Sequence, residues 1–557
     1  MSGGHPAFFG DDHTNDDDRP GVPSDLLPYL EAADLPDDED GAEGGVDAEE
    51  AAEDERLAAL RALVAHDMVT DPELLAELQG ALPEGEEWVE DIEADRAERE
   101  QALAGAADEA ALAVEVDRIY RDILTRAPEH RIQPSLQRVR AVLDILGDPQ
   151  DAFPSIHVTG TNGKTSTTRM IDALMGACGL RTGRFTSPHL SDVRERIGVE
   201  GEPISRAGFV AAWHDVAPYI DMVDASSVEG GGPRLSFFEV FTVMALAAFA
   251  DHPVDAAVIE VGMGGLWDAT NVIDAGVSVI MPVAKDHEKW LGASLREIAT
   301  EKAGIIKAGQ IVVVAAQEDE VLEVIEERAR EVDAVVRLEG RDWQVLERQV
   351  GVGGQLVTVR TPSAVYEDVF VPLLGAHQAH NAAAALVAVE SFLGGRTLDP
   401  TLVEQGMVSA TSPGRLQVVR SSPTIVVDAA HNPAGARALA DAVEESFDFR
   451  HVVGIYSAMG DKDVEGVLAE MEPHIEHLVL VEMPGERAMD LEDLHRIAED
   501  VFGPDRVQGA GDLVEAVDTA VTCAEAATDP ADRAGVLVFG SVLLAGALLD
   551  MVQARRR

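Results

Sequence analysis

Several short stretches of this chain carry residues whose types and spacing suit the chemistry of anions. The first is Thr159-Gly160-Thr161-Asn162-Gly163-Lys164-Thr165-Ser166, directly behind the apolar run Ile156-His157-Val158. Met170, Ile171 and Leu174 follow it at helical spacing. Strand, glycine loop and helix is the setting of a phosphate-binding loop. Glycines let backbone N–H groups approach an anion, and a helix N-terminus adds positive potential. Lys164 has the reach for β- and γ-phosphates, and either Thr165 or Ser166 offers a hydroxyl for Mg²⁺. The position five residues before Gly163, usually glycine, is Val158.

Further along, carboxylates, imidazoles and lysines stand where strands should end. Glu260 closes the apolar run Val254–Glu260 and precedes a glycine-rich turn, where either a functional residue or an ordinary solvated strand end would stand. Asp286 and His287 follow the run Val277–Val283. By chemistry alone His287 reads as a general base, because Mg²⁺ is hard and prefers oxygen. Lys302 stands fifteen residues after His287 and, taken by itself, belongs on an acidic patch with Glu297 and Glu301. Asp428 and His431 follow the run Thr424–Val427. A hydrolase pair would have this look, but the chain holds no GxSxG nucleophile motif to complete it. Lys462, in Gly-Asp-Lys-Asp, either anchors a carboxylate substrate or pairs with Asp461 and Asp463.

The elements that must position these residues alternate. Residues 112–147 read as helical, with Ile119, Ile123 and Leu124 on one stripe and Leu136, Val139, Val142, Leu143 and Leu146 on another. Runs at Ile156–Val158, Val254–Glu260, Val277–Val283, Ile311–Ala315 and Val335–Leu338 alternate with helical stretches. That pattern predicts a mostly parallel sheet covered on both faces, with functional residues at the strands' carboxyl ends. After a helix around Asn381–Leu393, residues 394–414 read as turn-rich. A second strand–helix series then begins at Thr424 and continues through His451–Tyr456, His477–Glu482 and Val536–Phe539. The expected organisation is an acidic extension over 1–110, a central α/β nucleotide-binding domain over 111–410, and a smaller α/β domain over 411–557.

Charge narrows the partners. The 557 residues carry 43 Lys+Arg against 102 Asp+Glu, a formal charge of -59, and about half of the excess lies in residues 1–110. Such a polyanion repels nucleic acid and anionic membrane. Residues 1–50 are expected to be disordered, and leucines at helical spacing within 56–79 suggest short helices on an acidic tether. Its role reads as a solvating tail or a docking element. Two cysteines exclude a disulfide framework, and neither a signal peptide nor an apolar membrane span is visible. A cytoplasmic monomer is expected. Only six lysines occur: Lys164, Lys285, Lys289, Lys302, Lys307 and Lys462.

Taken together, ten blocks over residues 134–546 resemble the folylpolyglutamate synthase/dihydrofolate synthase family of the Mur ligase superfamily. They are SLQRVRAVLDILGDPQ, GTNGKTS, TSPHLSDVRERI, FFEVFT, EVGMGGLWDATN, DHEKWLGASLREIATEKAGIIK, HQAHNAAAA, SPGR, DAAHNP and MGDKD. The resemblance implies a phosphate-loop ATPase domain and a C-terminal Rossmann-like α/β domain. It implies that ATP phosphorylates the carboxylate of dihydropteroate or a folate, and that the amine of L-glutamate then attacks the acyl phosphate.

The same resemblance implies roles for particular residues. Gly160 to Ser166, Asn381 and Arg415 would bind ATP, and Asp428 would touch the nucleotide or its arginine partner. Ser187, Glu260 and a hydroxyl from Thr165 or Ser166 would hold a first Mg²⁺, Glu260 being shared with a second ion, with a helix cap as the alternative for Ser187. His287 and a carbamylated Lys302 would serve that second ion. His431 would lie near the γ-phosphate or the incoming glutamate. The acidic chain must carve a local basic cleft for an anionic substrate, and Arg184, Arg194, Arg196, Arg415 and Lys462 are its candidates. Two departures stand out: Leu266 replaces the usual arginine after the double glycine, and Leu543 weakens the last motif.

Overall fold

The computed structural model describes residues 105, 107–128, 134–485, 487–526 and 533–556. The chain divides into two compact units, 1–111 and 112–557. Of the first, only residue 105 and residues 107–111 are described, in helical conformation. The expectations for residues 1–50 and 56–79 lie outside the described residues.

The second unit holds two α/β sheets and a small antiparallel one. The first sheet has eight strands: β1 (Ser155–Thr159), β2 (Thr182–Phe185), β3 (Ile197–Val199), β4 (Glu202–Pro203), β5 (Ala256–Glu260), β6 (Val277–Ile280), β7 (Ile311–Val314) and β8 (Val335–Leu338). Their order is β4-β3-β2-β5-β1-β6-β7-β8, parallel except where β3 and β4 turn back. β1 is buried along its whole length and lies between β5 and β6. The crevice at its carboxyl end is therefore a switch point, flanked by the ends of β5 and β6, where ligands bind in such sheets. Val158 faces Glu260 across one pairing and Val279 across the other. The residue that departs from the glycine pattern thus sits inside the central strand, fully buried.

Strands β9 (Gln344–Gly351), β10 (Gly354–Arg360) and β11 (Val365–Val371) form an antiparallel meander that the sequence reading did not separate from the parallel sheet. The second α/β sheet comprises β12 (Gln417–Ser421), β13 (Thr424–Val427), β14 (His451–Tyr456), β15 (His477–Val481), β16 (Val507–Ala510) and β17 (Ala534–Phe539). Its order is β12-β13-β17-β14-β15-β16, parallel apart from the β12–β13 hairpin.

Apolar faces account for the layers. Ile156 and Val158 pack with Met170, Ile171 and the alanine-rich helix Ala376–Phe392 on one side of the first sheet. Ala257 and Ile259 pack with Phe237, Phe241 and Phe249 on the other. Two further clusters cover the faces of the second sheet. Among the described residues, three helical turns open with a capping box, at Asp192/Glu195, Ser236/Glu239 and Ser294/Glu297. In each, the first side chain accepts a backbone N–H of the turn while the glutamate three residues on takes the N–H of the cap.

Two details correct the sequence reading. Residues 394–414 contain a helix, Pro400–Ser409, started by an Asp399 cap and by Pro400 in the first turn, where its missing N–H costs nothing. Leu124 leaves the core stripe of Ile119 and Ile123 and is half exposed.

Candidate active site

A cavity of about 600 Å³ opens at the carboxyl ends of both α/β sheets. Most of the candidates meet there: Gly160 to Ser166, Ser187, Glu260, His287, Lys302, Asn381, Arg415, Asp428, His431 and Lys462 all line it.

The loop between β1 and the helix Lys164–Ala177 needs its glycines for space. Gly160 has φ 148° and Gly163 φ 84°. A Cβ at Gly160 would stand 2.6 Å from the Cβ of Met281, and one at Gly163 2.8 Å from Oδ1 of Asn381. The loop is tied to the segment after β6: the Thr161 N–H donates to Pro282 O at 2.9 Å, and Thr161 Oγ1 to Ala284 O at 2.9 Å. Lys164 Nζ donates to the carbonyls of Gly160 and Thr161 at 3.1 and 3.2 Å. Burial lowers its pKa, against the pull of Glu260 and Asp286.

The two candidate hydroxyls separate cleanly. Thr165 Oγ1 donates to Glu260 Oε1 at 2.8 Å, whereas Ser166 Oγ pairs with Ser412 Oγ at 2.9 Å. Successive residues of a helix point about 100° apart, so one faces the acid and the other turns away. Glu260 also accepts the Ser187 N–H at Oε2, 3.4 Å away. Ser187 caps no helix among the described elements; Asp192 is the cap that opens the turn Val193–Arg196. Glu260 is 1% exposed, so it is no solvated strand end. Burial pushes its pKa up to about 7, partly offset by Lys164 and Thr165.

That shift has a sign that can be measured. In metal-free protein the folded state holds the Glu260 proton to a higher pH than the unfolded chain. This group therefore costs stability progressively between about pH 4.5 and 7. Glu260→Gln, which needs no proton, is expected to raise Tm at pH 8 in chelator, by up to about 3 kcal/mol of stability, and to leave pH 5 nearly unchanged. Calorimetry at the two pH values checks it; a substitution that lowers Tm at pH 8 contradicts it.

Lys302 is 4% exposed and donates to Gly160 O at 2.7 Å. Burial and then the neighbouring Lys164 lower its pKa to about 7. It does not sit on the acidic patch that spacing alone suggested. Glu297 is committed to the N–H and hydroxyl of Ser294, and Glu301 Oε2 is buried without a hydrogen-bond partner. Lys307 is structural, donating to backbone oxygens of Asn271 and Ile273.

From the second sheet come Arg415, Asp428, His431 and Lys462. Asp428 accepts the N–H groups of Leu416 at 2.8 Å and Ala430 at 2.7 Å. It thereby braces the two turns that carry Arg415 and His431, with Leu416 held at φ 43°. His431 Nδ1 lies 2.9 Å from Ala429 O, and its Nε2 faces Asp286. Lys462 pairs with neither of its neighbours: Asp461 takes Arg487, and Asp463 caps the next helix. Lys462 Nζ reaches Asp286 Oδ1 at 2.6 Å and His287 Nε2 at 3.2 Å instead. His287 has its pKa lowered to about 3, first by burial, with Asp286 opposing, so its imidazole is neutral.

The family descriptions agree with this layout. "Mur ligase middle domain" matches residues 226–389, and "Mur ligase, glutamate ligase domain" matches 414–542. The dihydrofolate synthase/folylpolyglutamate synthase of Mycobacterium tuberculosis is 48% identical over 441 residues, 76% of this chain and 91% of its own length. The chain belongs to the dihydrofolate synthase/folylpolyglutamate synthase family. The Escherichia coli relative is 30% identical over 76% of this chain and 93% of its own. The solved structure of M. tuberculosis folylpolyglutamate synthase complexed with ADP superposes with a TM-score of 0.77 at 47% identity, covering 79% of this chain and 99% of that one.

The basic cleft is smaller than the charge argument expects. Arg184 is buried against Asp172, and Arg194 is bound to Asp192 and the carbonyl of Ile204; neither lines the cavity. Arg196 does, 4.9 Å from the Phe237 ring and donating to His189 Nδ1 at 2.8 Å. Leu266, at the position usually arginine, is half exposed and lies outside the lining, whereas Leu543 is part of it. Sequence reasoning missed His189 and Arg487, which line the cavity, and Asn432, which stands behind it next to His431. Asn432 stands within the DAAHNP block itself, and its amide pairs with that of Asn162 at 3.0 and 3.2 Å.

Proposed function

We propose that this chain is an ATP-dependent ligase that adds L-glutamate to dihydropteroate, to the γ-carboxylate of folates, or to both, through an acyl phosphate. The observation that carries the reading is the meeting of the phosphate loop with Glu260 on one wall and with Asp286, His431 and Lys462 on the other. Phosphate release should require ATP, L-glutamate and either dihydropteroate or tetrahydrofolate, assayed in parallel. Release that ignores both pterin acceptors but follows another carboxylic acid overturns the substrate assignment. Residues 111–410 and 411–557 would act as the nucleotide and glutamate-ligase domains.

In this reading the loop N–H groups and Lys164 bind the ATP phosphates, with Asn381 beside Gly163 and Arg415 across from them. Lys164 and Arg415 are fixed charges where negative charge develops, so they favour the transition state over the ground state. Thr165, Ser187 and Glu260 offer the oxygen set that suits Mg²⁺. His287, neutral, and Lys302, if carbamylated, would serve a second ion. Mg²⁺, when bound, screens the phosphates and polarises the transferring group. The acyl phosphate would need shielding from water, and Glu260, Lys302 and Asp428 stand on the buried side of the cavity wall. Asp428 acts through Arg415 and His431, since both its oxygens are committed to backbone N–H groups.

No helix among the described residues is long and apolar enough to cross a membrane. The acidic extension is read as a solvating tail, so deleting residues 1–110 is expected to change kcat by less than about twofold. A tenfold loss in a deletion that still unfolds cooperatively would give the extension a catalytic role.

A further inference from the structure

Asp286 gathers more polar partners than the reaction outlined above requires of it. Its carboxylate receives Lys462 Nζ on Oδ1 at 2.6 Å, Asn432 Nδ2 on Oδ2 at 3.2 Å, and the N–H of His287 on Oδ1 at 2.8 Å. His431 Nε2 lies 3.6 Å from Oδ2. Three of these four groups come from loops at the carboxyl ends of the second sheet, more than 140 residues away. Asp286 itself stands in a coil beyond β6, with a side chain 8% exposed. Lys462 has no acid of its own loop to fall back on, because Asp461 is held by Arg487 and Asp463 by its helix cap. Asn432 extends the contact: it also clasps Asn162 of the phosphate loop and caps the helix Pro433–Ser446.

We infer that Asp286 is a positioning residue that draws the His431–Asn432 loop and the Lys462 loop onto the phosphate-loop wall, and so sets where the incoming amine meets the activated acyl group. The mechanism is electrostatic. The Lys462 side chain is 7% exposed, and a buried ammonium that loses its counter-ion no longer favours the closed arrangement. The loops would then relax outward, weakening capture of the amino acid while leaving the first sheet's phosphate loop intact. The identity of that amine rests on the proposed function; the contact itself does not.

The test uses the full chain and the variants Asp286→Asn, Lys462→Met and both together. Asp286→Asn keeps the size and removes the charge. It is expected to raise KM for L-glutamate at least about tenfold and to keep Kd for a non-hydrolysable ATP analogue within about threefold. The double variant should be no worse than the worse single, the signature of one shared interaction. Hydrogen exchange should quicken at residues 428–435 in both single variants, although Lys462 lies outside that segment. Multiplying effects in the double, unchanged exchange at 428–435, or a tenfold weaker ATP analogue would each overturn the inference. If Asp286→Asn does not fold, exchange at 428–435 in Lys462→Met decides alone. Hydrogen exchange needs no turnover, so an error in the substrate assignment would show in the wild-type assay and not here.

Discussion

Lys164→Ala is expected to lose about three orders of magnitude in the rate of ATP-dependent phosphate release, about 4 kcal/mol of transition-state stabilisation, with its unfolding transition in place. The fold does not need the Lys164 side chain. Its ammonium is only partly buried and serves two carbonyls of its own loop, Gly160 and Thr161, which water can serve in its absence. The transferring phosphoryl group has no such substitute. Among the described residues the other cations on the cavity wall are spoken for: Lys302 by Gly160 O, Lys462 by Asp286, Arg487 by Asp461 and Arg196 by His189. Arg415 alone would then face the phosphates from the far side. Single-turnover phosphate release and calorimetry on the same preparation check it. A well-folded variant within tenfold of the parent rate would remove Lys164 from the mechanism.

The architecture was legible wherever burial on both faces forces a continuous apolar run. The runs at β1, β5, β6, β7, β13 and β14 stand in the sequence because a covered parallel strand cannot alternate. The meander β9–β11 was not separated from them: in the turn-rich stretch around Gly351–Gly354, propensity does not say which sheet a strand joins. The helix Pro400–Ser409 was hidden by its own start signal, since Asp399-Pro400 reads equally as a turn.

At the site, residue types were legible and partners were not. Glycine, lysine and hydroxyl at the loop follow from local chemistry, so the set assembled in one cavity. Which hydroxyl meets Glu260 needed the helix phase. Glu297 was assigned to Lys302, yet five residues apart on a helix is not one face, and Ser294-Leu-Arg-Glu297 is itself a capping-box signal. Charge alone points Arg184 to the cleft, but its burial does not show in the sequence; Asp172, twelve positions earlier, neutralises it inside the protein. Lys462 found its acid 176 residues away, where no spacing rule reaches. Pairings made by tertiary closure are thus the part a single sequence withholds, and they are where Asp286 gains its place.

Lys302 gives the largest separation between rival readings. As a plain ammonium it would merely support Gly160 O, and Lys302→Arg would retain substantial activity. As a carbamate it would present oxygens toward the wall shared with Glu260 and His287. The amine attacks CO₂ at carbon, forming the N–C bond and releasing one proton, so only the neutral amine reacts. Burial, aided by Lys164, brings its pKa down to about 7, against an ordinary lysine value of 10.5. At pH 8 most of the amine is then free to react, and at pH 6 most is ammonium. Activity should fall as pH drops across 7, and fall further when CO₂ is stripped at fixed pH. Lys302→Ala is expected to lose at least about three orders of magnitude, and acetate to restore part of it by placing a carboxylate in the vacated space. Lys302→Arg should be as inactive as the alanine variant, since guanidinium forms no stable carbamate. ¹³CO₂ supplies a readout independent of turnover: a carbamate carbon signal present in the parent and absent from Lys302→Ala. An active arginine variant with no labelled carbon in the parent would return Lys302 to a structural role, and the ligase assignment, which rests on the phosphate loop and the residues facing it, would be unchanged.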